Sequence, residues 1–278
     1  MTEVRDDFEK FSVLMSVYYR EDPTFFYDAI CSVFKNTIIP NDVVVVVDGP
    51  ITDSLNDTIK KLQDIYLIKF IFLKKNVGLG RALNIGVEHC KYDLIMRMDT
   101  DDYCIETRFE DQLRCFYKNK NLSLVGGFTA EYDESMSNFT GIRNVACGYD
   151  SIKTMAKKRN PFNHMTVAFR KKAILSVGGY KHHLYMEDYN LWLRIIAKGY
   201  LVENIPKVLV NVRAGDGMLS RRKGVMYIYS EYELYKLKKD LGIDTLIHST
   251  IIFLMRVFTR VLPLSSMKYL YSKLRTHH

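Results

Sequence analysis

Three short stretches of this sequence carry residue types whose spacing suits chemistry. The first is Asp99-Thr100-Asp101-Asp102, which directly follows the apolar run YDLIMRM at 92–98. Asp99 and Asp101 stand two apart, so in an extended turn both carboxylates can converge on one hard cation. All-oxygen donors of this kind suit Mg²⁺ or Mn²⁺. A solvated acidic turn or a helix cap is the other reading. The second stretch is NVGLGR at 76–81, a loop entering a helix. Its glycines allow close backbone approach, the helix start favours an anion, and Arg81 adds a charge-assisted contact. A Gly-x-Gly loop alone suits an ordinary turn equally well. The third is Glu187-Asp188, opening a helix after Gly178-Gly179-Tyr180. Carboxylates there complement the helix dipole. They can also act as a general base that takes a proton from an attacking hydroxyl. His164, within NPFNH, suits a substrate contact, a metal ligand or a packed core position. There is no HExxH or Cys/His zinc spacing, no G-x-S-x-G elbow and no Walker A loop.

The elements that must position these residues alternate between two periods. Residues 11–19, 43–47, 68–73, 92–98 and 122–128 read as strands, and 43–47 are five consecutive valines. Such a run is expected of a strand buried on both faces. Residues 25–36, 54–66, 80–90 and 107–119 read as helices, with Asp53 or Ser54 as the cap of the second. Strands and helices in this alternation predict βαβ units and a mostly parallel sheet. Ligands of such sheets bind beyond the carboxyl ends of the strands. Polar residues stand at those ends: Tyr18-Tyr19-Arg20, Asp48-Gly49-Pro50, the 76–81 loop and the 99–102 turn. Further on, 166–170 and 207–213 read as strands, 187–198 as a helix ended by Gly199, and everything after 225 as helical with a break near Pro263.

The composition, 47% hydrophobic and 26% charged over 278 residues, suits a globular chain with a sizeable core. The five cysteines are scattered without a CxxC pair, as expected of reduced thiols. The polar start MTEVRDDFEK does not read as a secretory signal, and the most apolar stretch, 246–255, is half a membrane span. Of the net +8, residues 217–278 hold eleven Lys/Arg against four Asp/Glu, leaving about +1 for the rest. A boundary is therefore expected near residue 216, between a near-neutral body (1–216) and a basic helical extension (217–278). Basic tails suit nucleic acid or anionic membranes. Residues 244–278 mix apolar positions with Arg256, Arg260, Lys268, Lys273 and Arg275 and hold no acid after Asp244.

In their order, FSVLMSVYYRED, VVVVVDGP, NVGLGRALNIGV, LIMRMDTDD, NPFNHMTV, GGY with MEDYNLWLRI, and the late SRR resemble the family 2 glycosyltransferases over residues 11 to about 222. The nearest likeness is to bacterial enzymes of O-antigen and exopolysaccharide repeat-unit synthesis, the amylovoran type included. That resemblance implies a GT-A fold, a Rossmann-like mixed sheet flanked by helices with a C-terminal helical extension. Residues 1–105 would form the nucleotide-sugar half and 106–216 the acceptor half. It further implies an inverting transfer of galactose or glucose from a UDP-sugar, with Mn²⁺ or Mg²⁺, to a lipid-pyrophosphate-linked sugar. The place implied is the cytoplasmic face of the bacterial inner membrane, bound peripherally through the tail, with no nucleic-acid partner. Residue by residue, Tyr18, Tyr19 and Asp48 fall at the uracil or ribose, and Arg81 and Asn84 at the nucleotide. Asp99 falls at the ribose or metal, Asp101 at the metal, and Arg221 and Arg222 at the pyrophosphate. Asp188 falls at the base position, with Glu187 beside it at the acceptor, as His164 is. Two departures stand out: Val47-Asp48-Gly49-Pro50 replaces the usual D-D-G-S, and Ser220-Arg221-Arg222 stands in for Q-x-x-R-W. A sugar-1-phosphate nucleotidyltransferase is the rival enzyme, but its glycine-rich loop after the first strand is missing at Tyr18–Asp22. The non-enzyme rival is a membrane- or RNA-binding protein on a degenerate fold, against which Asp101 and Asp188 both stand.

Overall fold

The structure is a computed structural model, and it describes residues 8–214 and 224–261. The first half runs β1 (Phe11–Val17), α1 (Pro23–Phe34), β2 (Asp42–Val47), α2 (Asp53–Ile65), β3 (Lys69–Phe72), α3 (Leu79–His89) and β4 (Leu94–Arg97). These four strands are parallel in the order β3-β2-β1-β4. The valines of β2 divide by the two-residue period of a strand. Val43, Val45 and Val47 enter one core with Phe26, Ile30 and Leu55, while Val44 and Val46 enter a second core with Leu83 and Val87. Helices α1 and α2 therefore cover one face and α3 the other, which is why the run has no polar residue. Asp22 caps α1 through the Thr24 and Phe25 N–H groups, with Pro23 in the first turn. The cap of α2 is Thr52, just ahead of the expected Asp53 or Ser54; its hydroxyl accepts from the Leu55 N–H.

The second half is β5 (Tyr103–Cys104), α4 (Arg108–Lys118), β6 (Leu122–Tyr132), β7 (Phe139–Arg143), α5 (Tyr149–Lys158), a 3₁₀ turn (His164–Thr166), β8 (Ala168–Arg170), α6 (Lys171–Ser176), α7 (Glu187–Ala197) and β9 (Leu201–Arg213). Strand β8 runs antiparallel beside β4 and carries the sheet on through β6, β9 and β5. The sheet is thus mixed, with β6 and β9 parallel but shifted in register at three places. Both are longer than the sequence suggests. The strands gain 129–132 and 201–206, and within β6 Gly126 and Gly127 leave room for the Asn204 and Leu209 side chains, which pack where a Cβ would sit. Gln112, wholly buried, ties α4 to this half by donating to the carbonyls of Val125 and Thr166.

Helices α8 (Val225–Asp240) and α9 (Leu246–Val261) form a hairpin against α7. The cations expected to face outward here do not all do so. Arg256 and Arg260 both turn onto the buried Glu231, and Arg256 also donates to the Lys158 carbonyl. Burying Glu231 required cationic partners, and these two arginines supply them. What α9 exposes is an apolar stripe of Leu246, Ile247, Ile251, Leu254, Met255 and Phe258. The expected boundary at 216, the break near Pro263, and Lys268, Lys273 and Arg275 lie outside the described residues. No described helix is long and apolar enough to cross a membrane.

Candidate active site

The carboxyl ends of β1, β2 and β4 open on one edge, and the site is built there. Strand β4 ends in Arg97, followed by the 99–102 turn. Thr100 anchors that turn by donating to the Ser16 carbonyl on β1. Arg213, at the end of β9, clasps it from the other side. Its Nε donates to the Asp101 carbonyl at 2.8 Å, its backbone N–H donates to Asp102 Oδ1 at 3.1 Å, and its guanidinium lies 3.7 Å over the Phe25 ring. The turn folds back on itself, so that oxygens of Asp99, Asp101 and Asp102 lie within 4.8 Å of one another. Asp102, which spacing alone left out, thus joins the two expected carboxylates. Burial, then the neighbouring Asp99, pushes the Asp101 carboxyl up to about 6. Burial, Asp101 and Asp99 hold Asp102 well above the ordinary carboxylate range. Three crowded carboxylates in a poorly solvated pocket repel one another, and a divalent cation is the natural counter-charge. The donor set therefore fits Mn²⁺ or Mg²⁺.

Arg97 escaped the sequence reading, although a charged residue inside an apolar strand was its signal. It is 2% exposed and pairs with Asp99. Burial opposes its charge, but Asp99 outweighs this and keeps the guanidinium above its ordinary pKa. Its Nε and Nη1 find no acceptor. Arg97 is thus a fixed positive charge beneath the site, felt at Asp99, His164, Tyr180, Glu187 and Asp188.

The residues expected at the donor separate into two kinds. Tyr18 and Tyr19 meet edge to face at 5.6 Å, with Tyr19 half exposed and Arg20 donating to its hydroxyl. Arg81 is exposed on the first turn of α3. Asp48 and Asn84, by contrast, already have tasks inside the protein. The Asp48 carboxylate accepts from the Val77 and Gly78 N–H groups at 2.7 and 3.0 Å, and its carbonyl accepts from Asn76. It closes the 76–78 loop onto β2, an approach that also needs Gly49, where a Cβ would meet Asn76 N at 2.4 Å. Asn84 Oδ1 accepts from the Tyr180 N–H, fitting against Gly179 (φ +64°), where a Cβ would overlap it. Arg221 and Arg222 lie outside the described residues.

The carboxylate pair opens α7. A Cβ at Gly80 would stand 3.0 Å from Glu187 Cβ, so the first turns of α3 and α7 pack in direct contact. Asp188 is oriented by two donors: Asn160 Nδ2 reaches Oδ2 at 2.6 Å and the Tyr189 N–H reaches Oδ1 at 2.6 Å. Burial still raises its pKa against those two hydrogen bonds. Burial and then Asp188 push Glu187 up to about 7. His164 is a boxed histidine. Its Nε2 meets the Tyr180 hydroxyl at 3.0 Å, its ring packs on Tyr180 and Trp192, and burial with Arg97 drives its pKa well below the ordinary value. It is not part of the carboxylate cluster.

A parallel half-sheet with an acidic turn at its carboxyl edge, continued by an antiparallel strand into a mixed sheet flanked by helices, is the architecture of a GT-A glycosyltransferase. The Glycosyl transferase family 2 profile matches residues 12–180, and the chain belongs to that family. It is 41% identical to the amylovoran biosynthesis glycosyltransferase AmsE of Erwinia amylovora, over 95% of this chain and 98% of that one. It is 38% identical to a UDP-Gal:alpha-D-GlcNAc-diphosphoundecaprenol beta-1,3-galactosyltransferase of Escherichia coli, over 96% and 97%. In fold it resembles the mannosyltransferase PcManGT of Pyrobaculum calidifontis, solved with GDP-Man and Mn²⁺, with a TM-score of 0.64 at 13% identity, over 96% of this chain and 81% of that one.

Proposed function

We propose that this glycosyltransferase moves a hexose, galactose or glucose, from a UDP-sugar to a lipid-pyrophosphate-linked sugar, with inversion to a β-linkage, in O-antigen or exopolysaccharide repeat-unit synthesis. The observation that carries the reading is the direct packing of the donor-loop helix on the Glu187-Asp188 turn at Gly80. The Asp99 charge is in turn felt at Glu187, so the oxygen-only cluster and the proton-accepting pair are close enough to serve one reaction. Mn²⁺ or Mg²⁺ held by Asp99 and Asp101, with Asp102 beneath them, would neutralise the charge developing on the departing diphosphate. Tyr18, Tyr19 and Arg81 line the nucleotide side. Asp188, fixed by Asn160, accepts the proton of the acceptor hydroxyl as that oxygen attacks the anomeric carbon. Glu187, with a pKa near neutrality, hydrogen-bonds a neighbouring acceptor hydroxyl. The likeness of the galactosyltransferase and AmsE over nearly their whole lengths supports the substrate classes. With Mn²⁺ and an N-acetylglucosaminyl-diphospho-lipid acceptor, the purified protein is expected to give a β-linked disaccharide from UDP-galactose or UDP-glucose. An α-linked product in the anomeric NMR coupling rejects the mechanism, and no transfer from either donor rejects the donor class.

The same reading places the protein peripherally on an anionic membrane surface, where a lipid-linked acceptor lies. The support is the apolar stripe of α9, on a segment with no acid after Asp244. A helix of this kind lies in the interface with its apolar face among the acyl chains. Because Arg256 and Arg260 are committed to Glu231, apolar burial leads here, and Lys268, Lys273 and Arg275 supply charge from the sequence beyond. Leu254→Asp with Phe258→Asp is expected to cut sedimentation with phosphatidylglycerol-containing vesicles at least fivefold, with UDP-hexose hydrolysis within twofold of normal. Undiminished sedimentation of that variant rejects the stripe as the contact.

A further inference from the structure

Among the described residues, two non-glycines hold a positive φ: Met136, on an exposed turn, and Tyr185, at φ +66°. Bulky residues avoid that region, and where they occupy it the surrounding structure must enforce it. Around Tyr185 the enforcement is visible. The Met186 N–H donates to the His183 carbonyl, and Met186 is buried. His183 is buried too, pinned between the Ser230 carbonyl at 2.9 Å and Asn190 at 3.0 Å. Two anchored residues thus dictate the backbone of the two between them, Leu184 and Tyr185.

What this backbone achieves is the placement of a ring. Tyr185 remains 48% exposed, yet it is stacked on the buried ring of Tyr227, 5.2 Å between centroids and 16° from parallel. Tyr227 stands on α8 and is itself held by Arg260, whose guanidinium lies 4.5 Å over it. A half-exposed ring backed by a fixed one makes a rigid flat surface, and tyrosine loses little rotamer freedom in serving as one. This surface stands two residues before Glu187 and three before Asp188. Three residues span at most about 11 Å, which keeps the ring in the neighbourhood of the carboxylate pair.

We propose that Tyr185 is the stacking platform for the acceptor's sugar ring. The C–H face of a pyranose lies on it while the ring hydroxyls point to Glu187 and Asp188. The platform fixes which hydroxyl meets the base, and the C-terminal hairpin belongs to the acceptor site through Tyr227. This inference rests on the acceptor class of the proposed function.

Tyr185→Gly is the informative variant, because glycine takes this φ without strain and the fold therefore survives while the ring is lost. Binding of an N-acetylglucosaminyl-diphospho-lipid analogue is measured by calorimetry on the full chain with UDP and Mn²⁺ present, alongside steady-state transfer. The expected result is at least a tenfold loss of acceptor affinity and a matching rise in acceptor KM. UDP-hexose KM and hydrolysis should stay within twofold, and the melting temperature should be equal or higher. Tyr185→Trp and Tyr185→Phe should keep most of the affinity, since a ring remains. Equal acceptor binding by Tyr185→Gly and the unaltered protein overturns the proposal, as does equal loss in Tyr185→Phe. If the unaltered protein does not bind the analogue at all, the acceptor class fails, and the platform with it.

Discussion

Replacing Asp101 with alanine is expected to lower hexose transfer about a thousandfold, the scale of losing one preorganised group that stabilises developing charge, and EDTA is expected to do the same to the unaltered protein. The expectation rests on crowding. Three carboxylates with oxygens within 4.8 Å of one another, one of them 2% exposed, have two cationic side chains beside them. Arg97 pairs with Asp99, while Arg213 spends its side chain on the Asp101 and Glu134 carbonyls. The ion pair with Arg97 offsets only part of the turn's charge, and the remainder suits a divalent cation. A readout apart from activity separates the metal from the fold. Ligands that bind the folded state raise the melting temperature by mass action, so Mn²⁺ should stabilise the unaltered protein and not Asp101→Ala. Without metal, the variant should melt no lower, since it has lost one of three mutually repelling groups. Full transfer in EDTA, or an equal Mn²⁺-induced rise in both proteins, would remove Asp101 from the metal site.

The parts of this fold legible in the sequence are those set by local pattern. Buried parallel strands must be apolar on both faces, so β1, β2 and β4 showed themselves, and with them the edge where their ends meet. Long-range pairings stayed hidden. Besides the donor contact expected of it, Asp48 has a task the sequence hid: its carboxylate closes on Val77 and Gly78, some thirty residues on. Arg256 and Arg260 read as free surface cations until Glu231 is found between α8 and α9. Helix α5 was missed because it buries little more than Ile152 and Ala156, too sparse an apolar stripe to stand out. Strand β7 was missed because Phe139 and Ile142 are both exposed, which removes the alternation that marks a half-buried strand. Asp102 was left out because a two-residue spacing assumes an extended chain, whereas the turn doubles back under Arg213.

Asp188→Asn should bind donor normally and turn over at least about a hundredfold more slowly, the usual range for a lost general base. The substitution is nearly isosteric. It keeps the Oδ1 that accepts from the Tyr189 N–H, but it sets an amide group against Asn160 unless one of the two flips. Asn160→Asp should be harmful for a related reason, since it places a second carboxylate 2.6 Å from the first. Its neighbour Glu187 gives the pH dependence. Burial and Asp188 push it up to about 7, with Arg97 opposing them and Asp99 adding to them. With Mn²⁺ saturating, kcat/KM for acceptor should rise with pH through a limb near 7, and Glu187→Gln should move that limb to lower pH. The stability effect has a defined sign. A carboxyl whose folded pKa lies above its unfolded one contributes stability below the unfolded value, and that contribution is lost as pH rises through about 7. Glu187→Gln, which cannot ionise, should therefore be more stable than the unaltered protein at pH 8 and gain nothing at pH 4. Retained turnover in Asp188→Asn with loss in Glu187→Gln would transfer the base role to Glu187. An unmoved limb in Glu187→Gln would show that another group sets it.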